Sequence, residues 1–79
     1  MQSKEAFNRT MLLEQLADAN ERVDDVHKLK VGQRTRVETL RQYGHDTASA
    51  EAVLAQLEQS QTKFSVERDQ LQALLAKLG

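Results

Sequence analysis

Residues 40–50 read Leu-Arg-Gln-Tyr-Gly-His-Asp-Thr-Ala-Ser-Ala, and this stretch sets the architecture. It is the one interior place where the chain looks broken. Gly44 suits the position just past a helix end, because it takes φ > 0 without a Cβ clash. Asp46 or Thr47 can then open a second helix by accepting a hydrogen bond from one of its first free N–H groups. Glu51 stands in the first turns, where a negative charge suits the helix dipole. Further out, Gly79 stands just after Lys77 as a second stop. A connection this short makes antiparallel neighbours. The expectation is an all-α, two-helix antiparallel coiled-coil hairpin, with helices over about 4–43 and 47–78.

Apolar spacing on both sides of the turn agrees. Leu12, Leu16, Ala19, Val23 and Val26 step by 4, 3, 4, 3. The same frame meets Lys30 and Gln33, then returns to Val37 and Leu40. Beyond the turn it runs Ala50, Leu54, Leu57, Gln61, Phe64, Arg68, Leu71, Leu75, Leu78. These are a/d heptads, a seam one stripe wide. In an antiparallel pair facing residues have a constant index sum. Leu40 with Ala50, Val26 with Phe64, Ala19 with Leu71 and Leu12 with Leu78 all sum to 90. Val37 with Leu54 and Lys30 with Gln61 sum to 91, so the interrupted position Lys30 meets the interrupted position Gln61. Arg68 falls opposite Val23. The flanks agree independently: Arg34 faces Glu58, Arg41 faces Glu51 and Arg22 faces Glu67, all opposite in sign. Gly32 lies mid-helix, away from the seam. It is either a tolerated exposed glycine or a kink or close-packing point beside Lys30.

Composition excludes much else. The chain has 79 residues, with 11 Lys+Arg against 12 Asp+Glu, and a formal charge of −1. That length is a single domain, with residues 1–11 as an N-terminal overhang beyond the reach of the second helix. No Cys means no disulfide framework and no thiolate metal site. No apolar run approaches the ~20 residues of a membrane span. The N-terminus MQSKEAFNRT lacks the apolar core of a signal peptide. A reducing cytoplasm is the expected location, with no membrane association.

One seam is a thin core. Below ~70–80 residues a single core rarely supplies more than ~3–5 kcal/mol, and the remaining staple here is association. Leu29, Tyr43, Val53 and Leu74 fall on one flank of the seam, the flank that also holds Arg22 and Glu67. Phe7, Met11 and Leu13 add apolar surface near the N-terminus. A widened apolar stripe is what a four-helix bundle needs. The expected partner is therefore a second copy, giving a homodimer of hairpins, with another protein as a further candidate.

Residues that could carry chemistry do not converge. His27 and His45 lie 18 residues apart, roughly 27 Å along a helix. His45 beside Asp46 reads as a loop histidine next to a cap. No Ser, Thr or Lys has the base and orienting group that nucleophilic catalysis requires. Glu14, Asp18, Glu21, Asp24 and Asp25 form an acidic stretch. Without a Glu-x-x-His it reads as a solvated, salt-bridged face rather than a di-metal site. No catalytic residue, metal or cofactor is expected. Lys28, Lys30, Arg34, Arg36 and Arg41, opposed only by Glu38, make a segment of net +4. Lys28, Arg34, Arg36 and Arg41 are candidate anion contacts, and nucleic-acid binding through this stretch is the alternative function. No aromatics interleave there for base stacking.

The turn and the second helix carry a resemblance. Gln33-Arg34, then Val37, Leu40 and Gly44-His45-Asp46-Thr47 lead into Ala50-Glu51-Ala52-Val53-Leu54-Ala55, Leu57-Glu58 and Arg68-Asp69-Gln70-Leu71. This resembles a group of very short, uncharacterised helical-hairpin proteins of rhizobia and related alphaproteobacteria. It covers about residues 33–75, and its most specific element is the Gly-His-Asp-Thr turn. The resemblance implies a helical hairpin and a bacterial cytosolic origin. It brings no activity and no site residues. The resulting expectation is a non-enzymatic structural or protein-interaction module.

Overall fold

Two helices account for the chain in the computed structural model, which describes the backbone of residues 2–78 and the side chains of residues 8–78. Helix α1 is Gln2–Gln42 and helix α2 is Ala48–Leu78. They pack against each other along their length as an antiparallel hairpin. At the turn each helix stops one residue short of the expected limit, because Tyr43 and Thr47 serve as caps. The Gly44 N–H donates to the Arg41 carbonyl at 3.1 Å and the His45 N–H to the Leu40 carbonyl at 2.9 Å. This is the paired bonding that closes a helix through a left-handed residue, and Gly44 has φ +73°.

Asp46 and Thr47 divide the capping between them. The Asp46 carboxylate accepts the Ala48 N–H at 3.0 Å. The Thr47 carbonyl accepts the Glu51 N–H at 2.8 Å and so begins the helical ladder. Both roles are local. Short polar side chains at this point offer the backbone partners that helix interiors do not.

The seam lies where the spacing puts it. Among the described side chains of α1, those withdrawn from solvent are the seam positions from Leu12 to Leu40 and no others. In α2 the seam from Ala50 to Leu75 is buried or half-buried, joined by Ser60, Ser65 and Glu67 at its edges. Leu78, the last residue of α2, departs from expectation: it stays exposed.

The core is small. Among the described residues only Ala19, Val26, Val37 and Ala50 are buried, at 4–7% exposure, and no large side chain is fully buried. Two cylinders touch along a line. Small residues on that line are enclosed, whereas leucines beside it project past the partner's edge. The molecule measures 64 × 15 × 13 Å. Its length is that of α1 itself, 41 residues at ~1.5 Å each. Helix α1 runs unbroken through Gly32, which is exposed. A Cβ there would meet nothing within 4 Å, so Gly32 is not a close-packing point within the hairpin.

Candidate interaction surface

Polar groups inside the seam set its register. Lys30 Nζ donates to Gln61 Oε1 at 2.8 Å, a part-buried bond across the helices. Two of the four interruptions in the apolar pattern thus satisfy each other. Gln33 Nε2 donates to the Ala50 carbonyl at 2.9 Å. That bond was not legible in the sequence. A Gln in an apolar seam signals that a partner is needed, but a backbone acceptor leaves no mark in the residue pattern. No buried side-chain N or O atom lacks a partner among the described residues.

Flank charges behave less uniformly. Arg41 bonds Glu51 at 2.8 Å, as the register requires. Arg34 with Glu58 and Arg22 with Glu67 do not close to 4.0 Å among the described residues. Exposed pairs stabilise by only ~0–1 kcal/mol, so long side chains remain spread over many rotamers. Arg68, opposite Val23, turns to its own neighbour Asp69 at 3.2 Å. Lys28 pairs with Asp24 one turn back at 3.1 Å. The hydrogen bond that Lys28 Nζ donates to Asp24, and then the Asp24 charge, raise the Lys28 pKa above the usual lysine value.

The apolar flank is open. Leu29 is 59% and Tyr43 71% exposed, and Val53 and Leu74 are also exposed. In heptad terms all four occupy the position just before an a residue, which places them on one side of the hairpin. Leu13 and Met11 are exposed as well, Leu13 on the opposite flank and Met11 on this one. Phe7 lies outside the described side chains. Val31 and Val66, not singled out from the sequence, are exposed on outer faces.

Toward the open end this flank is grooved. One groove of about 420 Å³ is lined by Gln15, Asp18, Ala19, Arg22, Glu67, Gln70, Leu71 and Leu74. A second of about 300 Å³ runs on from it, sharing Gln15 and Leu74, and reaches Asn8, Met11, Leu12, Lys77 and Leu78. Leu71 and Leu78 thus share grooves with Ala19 and Leu12, the mates the index sum assigns. The floor is apolar and the rims carry both signs of charge.

The basic residues do not form one patch. At ~100° per residue Arg34 and Arg41 lie on one flank, Arg36 on the other, and Lys28 on the outer face. Lys28 and Arg41 are already paired with Asp24 and Glu51. No group of three or more His, Asp or Glu residues is placed to hold a metal ion among the described residues. No helix of the described residues is long and apolar enough to cross a membrane.

Fold and surface together define a class, a two-helix antiparallel hairpin with one open apolar flank. No family model, no curated protein and no solved structure matches the chain.

Proposed function

We propose that this chain is a non-enzymatic interaction module, an α-hairpin that self-associates into a four-helix bundle through the flank bearing Leu29, Tyr43, Val53 and Leu74. One observation carries the reading: no large side chain is fully buried among the described residues. The seam leucines from Leu12 to Leu75 and Phe64 are only half-buried. A chain of this size needs more apolar burial than one seam supplies, and four exposed apolar residues on one flank are the surface available for it. The basic stretch supports the alternative of nucleic-acid binding less well, since its charges are spread over three faces and partly neutralised. The bacterial cytoplasm is the proposed setting, on the resemblance of residues 33–75.

Light scattering across a concentration series, at low and moderate salt, tests this. A stable mass near twice 9.0 kDa is expected. A 9.0 kDa monomer at all concentrations overturns self-association and points to a different partner. Binding to nucleic acid that falls steeply with salt would favour the alternative.

A further inference from the structure

Two hairpins meeting on this flank can place their turns at the same end or at opposite ends. We infer that the partner is a second copy packed with its turn at the opposite end, so that α1 lies antiparallel to the partner's α1. This rests on the self-association proposed above and adds its geometry.

Charge favours that orientation. Along α1, Glu14 to Asp25 carries a net −4 and Lys28 to Arg41 a net +4. A helix with this pattern is complementary to itself only when reversed. The outward seam of α1 on the open flank steps by 4 and 3 from Met11 to Tyr43. An antiparallel copy in the register that overlaps this whole stretch pairs residues whose indices sum to 54. Asp18 then meets Arg36 of the second copy, and by symmetry the pair occurs twice. Both side chains are exposed in the single hairpin, and neither is in an ion pair there among the described residues.

Apolar residues match in the same register. Met11 meets Tyr43, the most exposed large hydrophobic residue described. Leu29 falls opposite Asp25 in this register, but it lies two residues from the two-fold axis, within reach of its own mate across it. Gly32 falls opposite Arg22, and the open space around it leaves room for that side chain. The hairpin register then fixes α2 with no further choice, and it brings Val53 beside Leu74 to within one residue. Lys63 comes near its own mate at the axis, with Glu67 one turn on to offset it.

Same-end packing instead sets α1 against the partner's α2 at unchanged height. The nearest seam register there puts Asp25 across from Glu67 and Leu29 across from Lys63. It opposes like charges and forms no opposite-charge pair such as Asp18 with Arg36.

The chain has no cysteine, so His45→Cys gives one spin-label site per copy, in the turn. With turns at opposite ends the labels lie about 50 Å apart, from a helix rise of ~1.5 Å per residue. With turns together they lie within about 20 Å, two interhelix spacings. A dimer with the long distance is the expected result. A dimer with the short distance overturns this inference and leaves self-association standing, whereas a monomer overturns both. In a second measurement, Asp18→Arg weakens the dimer by about tenfold or more, since like charges then meet twice. The reversal Asp18→Arg/Arg36→Asp restores it. Failure of the double variant to recover while both variants keep full helicity also overturns the pairing.

Discussion

Two glycines in this chain carry opposite consequences. Gly44 holds φ +73°, which an L side chain adopts at a cost of roughly 1–2 kcal/mol. Gly32 sits in regular helix with open space around it, where alanine is better by about 0.8–1 kcal/mol. Urea unfolding at one fixed concentration should therefore show Gly44→Ala destabilised and Gly32→Ala stabilised by these amounts. Equal signs would contradict the assignment of Gly44 to a left-handed cap. Lys28 provides a second residue-level test. Its pKa is raised, first by the hydrogen bond to Asp24. A raised pKa in the folded state contributes stability that is complete below the unfolded lysine value and is lost as pH rises through the folded one. The contribution is therefore flat across neutral pH and disappears only in strong alkali. In an NMR titration, Asp24→Asn should return Lys28 to the ordinary lysine range. An unchanged titration would show that the pair does not hold in solution.

Between the two helices, the seam and its interruptions set how α1 meets α2. Lys30 and Gln61 cost apolar burial at the middle of the hairpin and return one cross-helix hydrogen bond. A polar layer of this kind specifies register at the expense of stability. The variant Lys30→Leu/Gln61→Leu should melt at higher temperature and show a broader distribution of masses, as alternative registers become accessible. A single sharp mass in that variant would remove the registry role. Much of this level was readable in the residues. The 4-3 spacing located every described seam position of α1, and the index sum alone brings Lys30 to Gln61. The rest was not readable for physical reasons. Arg34–Glu58 and Arg22–Glu67 face each other correctly, yet solvated side chains gain too little from pairing to stay closed. The division of capping between Asp46 and Thr47 depends on backbone torsions that residue type alone leaves open.

For the molecule as a whole, the open flank is the deciding feature. Association stabilises the folded state by mass action, so the thermal midpoint should rise with protein concentration. Leu29 is exposed in the single hairpin, and a charge there does not disturb the seam. Leu29→Glu should therefore abolish the concentration dependence and hold the thermal midpoint near the value the unaltered chain shows at its lowest concentration. A Leu29→Glu protein that still melts in a concentration-dependent way would place the contact elsewhere, with the grooves beside Met11 and Leu74 the next surface to alter.

Residue order alone carries the one-dimensional part of the problem. Gly44 with Asp46 and Thr47 marks the turn. The heptad spacing marks the stripe that must be covered, and turn and period together point to the register that the Lys30–Gln61 layer then fixes. Those quantities rest on torsional preference and on ~3.6 residues per turn, both carried by residue order. How far the stripe is covered emerged only from packing in three dimensions. Small residues alone are enclosed, Leu78 is left bare at the helix end, and Gln33 reaches a backbone carbonyl. Burial depends on how two cylinders of given side chains touch in space. A leucine in the seam and a leucine beside it look alike in the sequence and differ only once the partner's edge is in place.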